Sequence, residues 1–161
     1  QCSFRVYLHA PYQRFYLVDS IFSYSQKSTH WLQMEAFINR WLHRGLGIFY
    51  LFAGANHFFN PDFYLPLIPD YLPTPILLNL LVGIVELALG VLVFIPQYTK
   101  LATHGIILLL LVLVPSHIYF IQIGSCVKDG LCIPVWFAWV RLILVQPLFI
   151  AWSWKVGRMK T

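Results

Sequence analysis

Four apolar stretches follow one another after residue 34, and short polar or proline-rich connections separate them. A helix that crosses a bilayer needs about 20 predominantly apolar residues. Arg44 lies in the first turns of the first stretch, where its side chain can extend to the interface. Pro75 suits a first helical turn, and Pro115 inside the third stretch predicts a kink. The pattern predicts helices over about residues 38–59, 75–95, 101–123 and 134–154.

Residues 1–33 differ from the rest because they mix aromatic, polar and charged residues without a sustained helical or strand period. Met34 is the first methionine, and the organised pattern begins just after it. We therefore expect residues 1–33 to be a poorly organised leader outside the native protein, and residues 34–161 to form the working domain. The alternative is an amphipathic segment at the membrane surface.

Composition agrees with a membrane protein. The chain is 59% apolar and 11% charged, whereas soluble domains average about 25% charged residues. The net charge of +5 does not indicate a nucleic-acid partner, since the basic residues form no run and lie near the ends of apolar segments. We expect an all-α, polytopic four-helix bundle with the lipid bilayer as its solvent.

The lysines and arginines predict the orientation of the bundle. Basic residues in the short segments of a membrane protein favour the cytoplasmic side. The proline-rich connection after helix 1 and the cysteine-containing connection after helix 3 contain only one, Lys128. Both termini are therefore expected in the cytoplasm, with those two connections outside. The basic residues that support this are Arg40, Arg44, Lys100, Lys155, Arg158 and Lys160.

Two charged residues lie at membrane depth, Glu86 in helix 2 and Arg141 in helix 4. A charge at bilayer depth costs about 3 kcal/mol on insertion scales, so each needs a partner. Their depths differ by about 6 Å at 1.5 Å per residue, which an arginine can bridge, and we predict a Glu86–Arg141 pair. The pair either only locks two helices together, or Glu86 handles protons or orients a polar headgroup.

Other polar residues share the outer half of the predicted membrane region. Histidine with glutamate is a common composition for a proton relay, and we assign tentative proton handling to His57 and His117 together with Glu86. No motif supports a metal site. Gln146 lies about 140° around helix 4 from Arg141 by the helical period and is expected to face a different neighbour. Candidate binding residues are Arg141, Asn56, Asn79, Ser116 and Gln146.

Small residues mark one face on each of the first two helices. Gly83 and Gly90 share the face of Asn79 and Glu86, at steps of four, three and four. Small residues allow close approach of membrane helices, so we expect this face to pack on the equivalent face of helix 1. The residues of that second face are Gly47, Tyr50, Gly54 and His57.

Cys126 and Cys132 lie in one predicted outward connection. An oxidising outer compartment favours a structural disulfide between them. A redox-active pair is the alternative, although such pairs usually have the shorter C-x-x-C spacing.

The ordered set of marked residues resembles the DoxX-like family of small four-helix membrane proteins. The resemblance covers about residues 44–154. Ser116–His117 stand where relatives often have Ala-Asn after the helix 3 proline. The matching residues are Gly54, His57, Phe58, Pro61, Tyr64, Pro66, Pro69, Leu72, Pro73, Gly83, Glu86, Gly90, Pro115, Arg141 and Gln146.

The resemblance implies a multi-pass protein of a bacterial plasma membrane. It also implies kinship with the membrane subunit of a thiosulfate:quinone oxidoreductase. We expect a redox-linked subunit that binds a quinone in the outer-half polar pocket and acts with a protein partner or as a homo-oligomer. No intrinsic cofactor is expected, because no flavin, haem or iron–sulfur motif is present. The alternatives are a non-enzymatic scaffold or assembly factor and, third, a small transporter.

Overall fold

The computed structural model describes residues 11–127 and 131–159, with side chains described from His30 onward. Contacts between Cα atoms divide the chain into two units, with the boundary between Ile38 and Asn39. The site and its packing belong entirely to the second unit.

The described residues are helical apart from short connections and an isolated antiparallel bridge between Cys126 and Cys132. Single 3₁₀ turns cover Leu65–Leu67 and Pro96–Tyr98, and a π-helical turn covers Arg141–Val145. The α-helices are α1 (Pro11–Phe59), α2 (Pro61–Tyr64), α3 (Pro75–Val93), α4 (Thr99–Val112), α5 (Val114–Gln122), α6 (Val135–Val140) and α7 (Gln146–Arg158).

Three helical stretches in the described part of the chain are long and apolar enough to cross a membrane. They are Pro75–Val93, Pro96–Gln122 and Val135–Arg158, with mean hydropathies of 2.6, 2.1 and 1.7. They confirm three of the four predicted spans by length and composition. The first predicted span, residues 38–59, lies within α1 and is not among them.

Helix α1 begins at Pro11 and not at Ile38 as predicted. Residues 11–33 are therefore helical where a poorly organised segment was predicted. Whether they belong to the working protein stays a prediction, and residues 1–10 lie outside the described residues. Lys128, the one basic residue in the predicted outward connections, and Lys160, which supports the predicted orientation, also lie outside the described residues.

The distribution of side chains is the reverse of that in a soluble protein. Large apolar side chains face outward along the three candidate spans; Ile76 is 73% exposed and Ile143 is 66% exposed. Polar side chains face inward instead, and contiguous exposed apolar surface of this kind suits contact with lipid. The buried polar residues are His57, Asn79, Glu86, Thr99, Thr103, Ser125, Gln146 and Ser153.

The two predicted glycine faces pack against each other. A Cβ atom added to Gly54 would lie 2.7 Å from the Leu87 backbone N and 2.8 Å from the Gly83 carbonyl oxygen. One added to Gly90 would lie 2.9 Å from the Leu51 backbone N. The backbones of α1 and α3 thus approach to a distance that only glycine permits. This confirms the predicted pairing and buries the Asn79–Glu86 face of α3.

Two prolines interrupt the later helices. The third span is broken at Leu113, between α4 and α5, two residues before Pro115. This break occurs where Pro115 predicted a kink, because proline lacks the N–H of a continuous helix. The fourth span contains the π-helical turn, which was not predicted, immediately before Pro147. Proline also clashes with the carbonyl four residues earlier, and the wider turn relieves that clash.

Candidate functional site

One cavity of about 400 Å³ lies within the second unit, between residues of α1, α3, α4, α5, α7 and the segment after α1. Its walls are mostly apolar, a composition typical of small-molecule sites, which also contain a few convergent polar groups. Seven of the eight predicted site residues line it. They are His57, Asn79, Glu86, Ser116, His117, Arg141 and Gln146.

Asn79 fixes the ring of His57. The Asn79 Oδ1 atom lies 2.7 Å from His57 Nδ1, and Asn79 Nδ2 donates a 3.0 Å hydrogen bond to the His57 carbonyl oxygen. The residue four positions after His57 is Pro61, which has no N–H to offer that carbonyl. Asn79 supplies the missing donor, and this orients its amide so that the oxygen faces the ring.

The orientation of Asn79 determines which ring nitrogen of His57 is protonated. Because Asn79 Oδ1 can only accept, His57 Nδ1 must donate. The other nitrogen, Nε2, lies 3.5 Å from Glu86 Oε2. Both of these atoms are acceptors unless one of them binds a proton, so the contact is attractive only when a proton resides on one of the two. His57 and Glu86 thus form a pair able to exchange one proton inside the cavity.

Glu86 and Tyr50 present unused hydrogen-bonding atoms to the same cavity. Tyr50 Oη and Glu86 Oε2 are buried and have no hydrogen-bond partner within the described protein. The two residues are 2% and 7% exposed, and both line the cavity. Buried polar atoms are nearly always hydrogen-bonded in native structures. This end of the cavity is therefore suited to a ligand with a polar head.

A second polar cluster belongs to α4, α5 and the fourth span. Gln146 Nε2 donates to the Leu110 carbonyl at 2.5 Å, so its Oε1 remains as an acceptor. His117 lies within hydrogen-bonding reach of Gln146 and close enough to Arg141 to interact electrostatically.

The π-helical turn brings Arg141 and Gln146 to the same cavity. The backbone N–H of Gln146 donates to the Arg141 carbonyl, a spacing of five residues instead of four. Residues five apart then lie nearly above one another, whereas an α-helix would separate them by about 140°. The prediction that Gln146 faces a different neighbour was wrong for this reason. Pro147 was the available signal.

The predicted Glu86–Arg141 pair does not form. Among the described residues the ion-pair partner of Glu86 is His57, and Arg141 has no carboxylate partner. Both residues lie within candidate spans, but similar depth does not fix the direction in which each side chain points around its helix axis. His57 lies on the α1 face that packs against the Glu86 face, so it reaches the carboxylate first.

Asn56 lies behind the cavity wall. It donates a 2.8 Å hydrogen bond to the hydroxyl of Tyr64, and the Tyr64 ring stacks on His57 with centroids 3.7 Å apart. Asn56 thus supports a lining residue and does not itself line the cavity. Tyr64 and Tyr50 are the polar lining residues that sequence reasoning did not assign to the site. Tyr64 ends the one-turn helix α2, which is too short to show a periodic pattern, so periodicity gave no signal for it.

An antiparallel bridge joins Cys126 and Cys132 after α5. Cys126 and Cys132 are joined by a disulfide, and Val127 N donates to the Leu131 carbonyl at 3.0 Å. The intervening residues 128–130 lie outside the described residues. Neither cysteine is among the residues that line the cavity.

These features define a helical protein with three helices suited to crossing a membrane and with a polar-ended internal cavity. Sequence comparison matches residues 46–157 to the family described as domain of unknown function DUF8561. This match covers more than half of the chain, and the chain therefore belongs to that family. No curated protein and no solved structure gives a significant match.

Proposed function

We propose that this protein is a redox-linked membrane subunit that binds a quinone-type ligand in the cavity. The supporting observation is the cavity itself: mostly apolar walls, with hydrogen-bonding side chains from several helices among the lining residues. A quinone has an apolar ring with a carbonyl oxygen at each of two positions. Tyr50 and His57–Glu86 would serve one oxygen, and His117 with Arg141 the other.

The His57–Glu86 pair suits the chemistry of such a ligand. Reduction of a quinone adds two electrons and two protons, and the protons must be delivered inside a site shielded from water. A pair that holds one exchangeable proton at cavity depth is a delivery group for one of them. The electrons would come from a redox partner protein, since the chain contains no flavin, haem or iron–sulfur motif.

The membrane arrangement proposed with this function has four spans. The span added to the three candidates would be residues 38–59 of α1, with the Arg44 side chain extended to the interface. The lysine and arginine distribution favours both termini in the cytoplasm. The DoxX-like resemblance supports a bacterial plasma membrane and a protein partner. These statements extend the proposal beyond the three spans and the family membership established above.

Ligand titration in lipid nanodiscs tests the proposal. The chain has six tryptophans, so quenching of their fluorescence by decylubiquinone reports binding. We expect saturable quenching, and Glu86→Gln should weaken binding several-fold or more, because it abolishes proton exchange with His57. Glu35→Gln is the matched control, since Glu35 is exposed and lies in the other unit. Absence of saturable binding in the unmodified protein would refute the proposal.

The scaffold alternative predicts a different result. A membrane scaffold needs intact helix packing but no exchangeable proton. Glu86→Gln would then leave its cellular phenotype intact, and the purified protein would retain a partner protein but no quinone.

A further inference from the structure

Arg141 is a half-buried cation without a counter-ion in the described part of the chain. Its guanidinium lies near His117 and the Tyr64 phenol, and neither is a carboxylate. Glu86, the acidic residue among those that line the cavity, is engaged by His57. An arginine remains protonated under all physiological conditions.

An uncompensated cation at membrane depth is costly. Such residues persist where they bind something of opposite charge or mark a ligand pathway. The guanidinium presents five N–H donors in a fixed planar arrangement, which matches an anionic oxygen group better than a neutral carbonyl.

We infer that the Arg141 end of the cavity binds an anionic oxygen group on an otherwise apolar ligand. This inference narrows the proposed function and rests on it: the preferred quinone-type ligand has an acidic substituent that is ionised when bound. The same chemistry is present in the anionic headgroup of a lipid. Tyr50 and Glu86, which line the same cavity, then bind a neutral polar group of the molecule, and the apolar walls contact the rest of it.

A pair of matched probes separates charge from shape. 2-Hydroxy-1,4-naphthoquinone is an anion at neutral pH, whereas its 2-methoxy analogue has the same ring and remains neutral. Titration of the full chain in nanodiscs of neutral lipid should show at least tenfold tighter binding of the hydroxy compound. Equal affinities for the two compounds would overturn the inference.

Substitution of the arginine locates the effect. Arg141→Gln should weaken binding of the hydroxy compound far more than binding of the methoxy compound, so that the preference between the two is lost, while Arg141→Lys should retain part of the preference. Arg158→Gln is the control, because Arg158 is exposed at the end of α7 and contacts the Trp154 ring. If Arg141→Gln fails to fold, Arg141→Lys and the probe pair still decide. An equal loss for both compounds in Arg141→Gln would contradict a charge-specific site.

A lipid arm distinguishes the sources of the anion. Decanoate and decanol share a chain length but differ in charge. Arg141-dependent binding of decanoate without binding of either naphthoquinone would support the anion site and point to a lipid headgroup, and it would refute the quinone-type ligand. Binding of both naphthoquinones with equal affinity would support the quinone-type ligand and refute the anion site. If none of the four probes binds, both the anion site and the quinone-type ligand are refuted.

Discussion

The contact between Asn79 and His57 gives the sharpest test of how the cavity is built. Asn79 makes two buried hydrogen bonds, at 2.7 Å to His57 Nδ1 and 3.0 Å to the His57 carbonyl. The substitution Asn79→Leu keeps a side chain of similar size but removes both partners. His57 Nδ1 and the His57 carbonyl oxygen are then left without hydrogen-bond partners. Pro61 cannot replace Asn79 as a donor to the carbonyl, because proline has no N–H.

The expected magnitude follows from these two bonds. Each buried polar group without a partner costs about 1–3 kcal/mol, so the free energy of unfolding should fall by about 2–6 kcal/mol. The assay is an SDS titration in mixed micelles, followed by circular dichroism. Asn60→Leu is the matched control: Asn60 is exposed and its side-chain amide donates to the Asn56 side chain, so loss of that amide should cost about 0.5 kcal/mol or less.

The ring of His57 provides a second readout of the same contact. With selective ¹⁵N labelling of histidine, the Nδ1 resonance of His57 should show an attached proton, and a His57→Gln variant assigns it. Asn79→Leu should remove that preference. If Asn79→Leu destabilises the protein no more than Asn60→Leu, and if Nδ1 is unprotonated, then Asn79 does not hold the ring and the one-proton argument fails.

Three further changes have defined expectations. Gly54→Ala places a methyl group against backbone atoms of α3, so it should lower the free energy of unfolding by about 1–3 kcal/mol. In the control Gly45→Ala, the added methyl group contacts the Trp152 ring at 3.3 Å, and the loss in the same SDS titration should be clearly smaller. Tyr50→Phe removes a buried hydroxyl without a partner, so stability should hold or rise by up to about 1 kcal/mol while decylubiquinone binding weakens; a large loss of stability would show that the hydroxyl is satisfied by the protein. Reduction of the Cys126–Cys132 disulfide should lower the free energy of unfolding by about 2 kcal/mol in the loop-entropy model, as measured by SDS titrations with and without reductant. If reduction abolishes ligand binding and leaves stability unchanged, the redox-active alternative is favoured.

Helical periodicity predicted what depends on local spacing. The steps of four and three residues on α3 identified the buried face of Gly83 and Glu86, and the equivalent face on α1 contacts it. Depth along each helix also predicted a shared polar pocket, and seven of the eight candidate polar residues line the cavity. These features follow from a regular 3.6-residue period and the thickness of a bilayer.

Rotation about the helix axes was the weaker part of the prediction. Matching depths suggested a Glu86–Arg141 pair, but the predicted contact between the α1 and α3 faces already placed His57 opposite Glu86. The π-helical turn changed the direction in which the Gln146 side chain points, and Pro147 was the available sequence signal for that turn. Tyr64 reached His57 from a segment outside any periodic helix, where the position depends on tertiary packing.

The central claim is that the cavity between the two polar clusters binds a quinone-type ligand, and native mass spectrometry tests it most directly. The measurement uses the full chain, released gently from its own membrane and desolvated with its bound molecules. A bound species with the mass of a quinone, lost in Glu86→Gln and retained in Glu35→Gln, is the predicted result. A chain that is released with a protein partner and no small molecule would contradict the claim and favour a membrane scaffold.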